Sequence, residues 1–261
     1  MTHPIAHRSR ALLLAAGAFL TATSLLALPH PIHGQELPDA DDLIASYVEA
    51  IGGSEAHSTP TSIRTMGTMS LPGMGIEGEF ELLQLPDVGS RMISTIPGMG
   101  QLMVGFDGEV GWSLNPMTGP QLMASEELAQ MRERTLLAAT LRDREVVRER
   151  ETVERIQVEG EPCYRVRLVW ASGRETFDCY AVDSGLLLQS EDVQVSDMGQ
   201  VPTTTRYADY TDFHGMVLPT RMIQETMGME QILEIESVVL DDAGPSDLEP
   251  PAQIQTLLEG D

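Results

Sequence analysis

The sequence predicts a mostly β protein: one up-and-down antiparallel sheet of about eleven strands, curled rather than flat, accompanied by two helices. Three observations lead there. Apolar residues recur at every second position in one segment after another. Short Gly- and Pro-containing turns separate these segments, with no helical crossovers between them. Only two stretches carry the helical period.

At the start, Arg8 and Arg10 precede the apolar run Ala11–Leu28, and no acid stands before Glu36. A basic start, an apolar middle and a Pro-containing polar exit mark residues 1–34 as a cleavable export signal, with Gly34 as the small residue at the cut. The alternative is a retained membrane anchor, for which the run just reaches the minimum of roughly 18 residues. Its Ala, Thr, Ser and Gly content makes it a weak one. No Cys near the exit offers a lipid anchor. Residues 35–244 then read as one domain, and 245–261 as an acidic, Pro-containing tail.

Asp39–Ile51 reads as a helix, capped by Asp39 or Asp41 and stopped by Gly52-Gly53, with Leu43, Tyr47 and Ala50 or Ile51 in its stripe and Ile44 and Val48 beside it. The period then changes to two. Ile76, Phe80 and Leu82 alternate with Glu77, Glu79 and Glu81. Leu71-Pro-Gly-Met-Gly75 and Ile96-Pro-Gly-Met-Gly100 are near-identical turn pentads, and Asp107-Gly108 joins two further strands. Asn115–Pro120 breaks the pattern before a second helix over about Ser125–Arg142. The Arg/Glu-rich stretch Arg142–Arg155 reads as a solvated surface. Strands resume at Ile156 and run to Leu240.

Charge excludes one class of partner. The chain has 16 basic and 40 acidic residues, every basic one an Arg, and loss of residues 1–34 takes the net charge from -24 to -26. Such a surface repels phosphate backbones, so no nucleic-acid partner is expected. A GC-rich genome or adaptation to salt each accounts for the Lys-free, acidic composition.

No catalytic constellation stands out. Gly73-Met-Gly75-Ile-Glu-Gly78 matches a dinucleotide-binding string, but it leads into a strand where that chemistry needs a helix N-terminus. There is no HExxH and no GxSxG. After cleavage only His57 and His214 remain, both read as exposed loop residues. No catalytic residue, metal or cofactor is expected, and the protein reads as non-enzymatic.

Alternation selects an inward face made by Ile76, Phe80, Leu82, Leu102, Val104, Phe106, Trp112, Leu114, Tyr164, Val166, Leu168 and Trp170, with Leu43 and Tyr47 closing over it. Most of these residues pack as core in any such fold. Fifteen Met, several at turns, either fill core gaps or form adaptable surface. If Ala171–Gly173 is a three-residue loop, Tyr164 faces Tyr180 and Val166 faces Asp178. Cys163 and Cys179 then sit diagonally, and whether they bridge is left open.

Several segments, in order and spacing, resemble the LolA-like outer-membrane lipoprotein-sorting proteins. They are Tyr47-Val-Glu-Ala-Ile-Gly-Gly53, Gly67-Thr-Met-x-Leu-Pro-Gly-Met-Gly75, Phe106-Asp-Gly-x-Val-Gly-Trp112 with Asn115–Pro120, Asp183-Ser-Gly-Leu-Leu187, Tyr207-x-Asp-Tyr210 and Gly215-x-Val-Leu-Pro219. The resemblance implies an incomplete, strongly curved β-barrel whose concave face is covered by helices. It also implies a periplasmic carrier of acyl chains, with a lipid or lipidated protein as ligand. An envelope transport or receptor protein would be its partner, and no stable membrane insertion follows signal removal. A sensor or scaffold domain binding a partner protein is the alternative.

Overall fold

Thirteen strands hydrogen-bond into a single antiparallel sheet in the computed structural model, which describes residues 36–196 and 199–259. The expected export signal therefore lies outside the described residues. The strands are β1 (Ile63–Leu71), β2 (Ile76–Leu85), β3 (Gly89–Ile96), β4 (Gly100–Phe106), β5 (Gly111–Asn115), β6 (Gly119–Leu122), β7 (Val147–Val158), β8 (Glu161–Trp170), β9 (Glu175–Ala181), β10 (Leu187–Ser196), β11 (Gly199–Phe213), β12 (Met216–Thr226) and β13 (Met229–Leu240). Their order is β6-β5-β4-β3-β2-β1-β13-β12-β11-β10-β9-β8-β7, so the chain meanders twice and the two meanders join where β13 pairs with β1.

Thirteen strands stand where about eleven were expected; at the edges β6 was missed and β7 begins nine residues before Ile156, where strands were expected to resume. β6 is four residues long and carries Pro120, where a turn was expected. β7 contains most of the Arg/Glu stretch read as plain surface, and bulges interrupt its pairing with β8. Short length, Pro, charge and bulges are how sheet edges avoid pairing with other chains. The same features erase the apolar alternation that identifies inner strands.

Helix α1 (Ala40–Ala50) starts at Asp39, whose carboxylate accepts the Asp41 N–H at 2.8 Å. It ends at Gly52, with φ of 104°, where a Cβ would meet the Gly215 carbonyl oxygen at 1.9 Å. The stripe it buries is Ala40, Ile44, Tyr47 and Ile51; Leu43 packs at its margin, because 100° per residue centres the face on Ile44. His57, expected in an exposed loop, is instead buried in helix α2 (Gly53–Ser58), where Nε2 donates to the Ile51 carbonyl at 3.0 Å. His214 is exposed at the β11–β12 turn as expected.

The second helical region is broken into α3 (Ser125–Thr135) and α4 (Leu137–Thr140) by an extended Leu136. The β2–β3 turn causes the break: Asp87 N–H donates to the Thr135 carbonyl at 3.2 Å, and its carboxylate accepts the Leu137 N–H at 2.9 Å. The stretch expected as a tail is folded too. It forms a short 3-10 turn (Pro245–Leu248) and helix α5 (Ala252–Glu259), with Leu248 and Ile254 fully buried. Leu248 packs with Leu83 and Leu85, which face away from Leu82 and leave an apolar strip on the second face of β2.

Cys163 and Cys179 form a disulfide with Cα atoms 5.6 Å apart. The β8–β9 register is the expected one, Tyr164 opposite Tyr180 and Val166 opposite Asp178, so the cysteines are diagonal without any bulge. Right-handed strand twist draws one of the two diagonals together, and this pair lies on it.

Candidate functional site

Adjacent residues of α3 touch both halves of the sheet. The Ser90 hydroxyl of β3 donates to the Met131 sulfur at 3.9 Å, while the Gln130 amide donates to the Val193 carbonyl of β10 at 2.8 Å. In a flat sheet β3 and β10 would be about 29 Å apart, and a helix of this length spans only about 16 Å. The sheet is therefore curled into an open trough with α3 lying across its mouth.

Register defines the concave face. β2 pairing places Ile76, Phe80 and Leu82 on the face of Ser94 and Met92, and β3–β4 pairing extends it to Leu102, Val104 and Phe106. Through Thr65–Val238, Leu233–Met222, Met222–Tyr207, Thr205–Ser190, Ser190–Asp178 and Asp178–Val166 the face continues to Tyr164, Val166, Leu168 and Trp170. Trp112 and Leu114 are not on it. The β4–β5 connection spans four residues, folded by the Asp107 carboxylate accepting the Glu109 and Val110 N–H groups at 2.9 and 2.8 Å. Phe106 consequently meets Gly111, and Trp112 and Leu114 lie opposite Gly105 and Met103 on the convex side. The indole of Trp112 covers Gly105, where a Cβ would come within 2.4 Å of the ring.

Most inward residues are closed core. Val166 and Leu168 are fully buried with α1, whose Tyr47 ring packs on Tyr180 at 5.3 Å between centroids. Phe80 and Phe106 are buried as well. Leu82 and Trp170 differ, since each lines an unfilled space beneath α3 and α4. Leu82 belongs to a cavity of about 240 Å³ with Leu218, Met131, Leu137, His57 and Ser90. Trp170 belongs to a second, of about 230 Å³, with Tyr207, Arg142, Arg174, Asp178 and Asp192. Arg134 and Thr140 line both. Ile76, Leu102, Val104, Tyr164, Leu43 and Tyr47 line neither.

The second cavity has a charged floor. Asp178, 2 % exposed, accepts from Arg142 Nε at 2.8 Å and from the Tyr180 hydroxyl at 2.9 Å. Arg142 Nη1 also donates to the Ala139 carbonyl at 2.8 Å, capping the end of α4. Burial opposes the Arg142 charge, but Asp178 together with the Tyr180 and Tyr47 hydroxyls outweighs it, so its pKa stands well above the ordinary guanidinium value. Burial first, and then the Asp178 charge, pushes the Tyr180 hydroxyl far up. Arg174 lies over the Trp170 ring at 4.6 Å and donates to Asp192 at 2.7 Å. Asp192 also accepts from Arg134 of α3 at 2.8 Å.

Sequence reading missed these charges. Arg142 and Arg150 fall in the stretch that reads as solvated surface, yet their side chains are only 14 % and 7 % exposed. The available signal was Asp178: the expected β8–β9 register put a carboxylate opposite inward Val166, and a carboxylate on an apolar face requires a cation. Nothing local marked His57, Leu218 or Leu137.

The helices are held differently. α1 buries an apolar stripe and is tied by Arg150, which donates to Asp41 at 2.6 Å and also to the Arg142 carbonyl. In α3 the buried side chain is a polar one, Gln130. Its carboxamide donates to the Val193 carbonyl and accepts the Val195 N–H at 3.1 Å, standing in for the ladder where β9 has run out. Ion pairs and hydrogen bonds of Arg134, Glu133 and Glu126 supplement it at the surface. α3 is thus fastened across the trough largely by polar contacts, with Leu128 and Met131 turned toward the sheet. Among the described residues, no cluster of His, Cys, Asp or Glu is arranged to hold a metal ion, and no helix is long and apolar enough to cross a membrane.

No family model and no curated protein matches the chain by sequence. Solved structures do match by fold. A LolA superfamily protein from Nitrosomonas europaea aligns with a TM-score of 0.54 at 15% identity, over 82% of this chain and 99% of its own. A DUF1329 family protein from Desulfovibrio piger gives 0.55 at 11%, over 83% and 100%. A domain from Vibrio parahaemolyticus ascribed to outer membrane lipoprotein sorting gives 0.50 at 13%, over 85% and 100%. An open trough of antiparallel strands with helices on its concave face, matched to these proteins over more than four fifths of the chain, is the LolA-like fold.

Proposed function

We propose that the protein is an exported, non-enzymatic carrier that takes the acyl chain of a lipid or lipidated protein into the trough and conveys it through the periplasm toward the outer membrane. The observation that carries this reading is unfilled space beneath α3, a helix fastened largely by polar contacts. Apolar Leu82, Leu218, Met131 and Leu137 offer burial worth roughly 0.8 kcal/mol per CH₂ group. The charged floor beside them suits the polar end of the same ligand. Both cavities together are small for a long chain, so loading requires α3 to lift. The basic-then-apolar start supports export, and the fold neighbours support lipid or lipoprotein binding.

The test is uptake of a fluorescent fatty acid by the mature protein. Uptake is expected for wild type and is lost in Leu82→Arg and Leu218→Glu while the β spectrum persists. Phe80 and Phe106 are unsuitable targets, because a charge at either buried site would unfold the sheet. Wild-type protein that binds no probe, or that carries a polypeptide and no lipid when purified from its own envelope, would replace the carrier with a sensor or scaffold.

A further inference from the structure

One rim of the trough is tipped with methionine. β1, β3, β5 and β12 all run toward the same end of the sheet, so the β1–β2, β3–β4, β5–β6 and β12–β13 turns lie along one rim. Those turns carry Met74, Met99, Met117 and Met227, with Met229 opening β13. Met74, Met117, Met227 and Met229 are the most exposed large apolar side chains among the described residues, between 53% and 76%. Turn geometry does not call for them. Pro and Gly supply the backbone in the two pentads, and a polar residue would fit the tip equally well. That alternative appears further along the same rim at the β8–β9 turn, Ser172-Gly173-Arg174, and on the opposite rim in Asp87, Asp107-Gly108, Glu159-Gly160 and Asp183-Ser184-Gly185.

Acids outnumber bases beside the methionines. Glu225 and Glu230, which share the single cation Arg206 of β11 at 3.9 and 3.0 Å, line a groove of about 580 Å³ with Leu71, Met74 and Met229, between the β1–β2 and β12–β13 turns. Glu77 stands exposed beside it, and the residues of these four turns include no Arg. Thioether side chains are unbranched and polarisable, so a row of them moulds to an irregular apolar partner. Flanking carboxylates select a cationic partner and repel an anionic bilayer.

We infer that this rim is a docking surface for a basic, amphipathic segment of a partner protein, whose apolar side chains seat among the methionines while its Lys or Arg residues meet Glu225, Glu230 and Glu77. The inference is independent of what the trough holds. The test uses mature protein labelled at the Met methyl groups and an 18-residue Leu/Lys amphipathic peptide, with its Leu/Glu counterpart as control. Saturable shifts of Met74, Met99, Met117, Met227 and Met229 are expected with the Leu/Lys peptide alone, weakening as salt rises. The variant M74S/M117S/M227S/M229S, altered only at exposed tips, is expected to keep its melting temperature and bind at least tenfold more weakly. Equal binding of both peptides, undiminished binding by the variant, or shifts confined to residues under α3 would each overturn the proposal. So would the same methyl shifts appearing on dilution of the free protein, which would mark a contact between copies, or with phosphatidylglycerol vesicles, which would mark a membrane site.

Discussion

Replacing Gln130 by Ala tests whether α3 is a lid separable from the rest of the fold. The side chain makes two hydrogen bonds to the β10 backbone, at 2.8 and 3.1 Å, and is buried. Each such bond contributes about 0.5–1.5 kcal/mol net, so the latch is worth roughly 1–3 kcal/mol. The freed Val193 carbonyl and Val195 N–H can turn to water, which keeps the loss near the lower half of that range. If α3 lifts as a unit, that energy falls on the opening step alone. About 1.4 kcal/mol is a factor of ten, so the open population should rise roughly tenfold. Hydrogen exchange of the α3 amides is the direct assay: they should exchange about ten times faster in Gln130→Ala, while α1 and β8 amides stay unchanged. Fatty-acid probe uptake should accelerate in parallel. If α3, α1 and β8 all exchange faster by one factor, Gln130 belongs to the global core and the lid argument fails.

Two further outcomes follow from the charged floor and the buried hydroxyls. Asp178→Asn leaves the Arg142 cation with little compensation and should cost about 3–5 kcal/mol in urea unfolding, whereas the double change Asp178→Leu with Arg142→Met should recover most of it; a single-variant loss below about 1 kcal/mol would show the pair to be solvated. Tyr47, Tyr180, Tyr207 and Tyr210 all have hydroxyl pKa values raised above 10.0, by burial first in each case. The unfolded chain then loses these protons at lower pH than the folded one, so stability is full below about pH 10 and declines above it. Tyrosinate absorbance should appear together with loss of the β spectrum, and gradual ionisation of a still-folded protein would contradict the assignment.

Local pattern determined the inner strands, the first helix, the β8–β9 register and the hairpin connectivity, because each depends on neighbours close in sequence. Alternation in Ile76–Leu82 and Tyr164–Trp170 is a direct imprint of one wet and one dry face. The same reading failed at the sheet edges, since β6 and β7 protect themselves with the Pro and charges that mimic a loop. It failed at Trp112 because any even-numbered connection, the two residues expected at Asp107-Gly108 or the four observed, exchanges the two faces. Residues 245–261 looked like a tail until Leu83 and Leu85, more than 160 positions earlier, supplied the surface that Leu248 covers. The break in the second helix came from Asp87, 50 residues away from Leu137. The candidate site belongs wholly to this second kind. His57, Leu82, Met131 and Leu218 meet only when the sheet curls, and whether the space among them fills is set by how α3 spans the trough. Periodicity assigns a residue to a face, but long-range packing decides whether that face is closed core or open cavity.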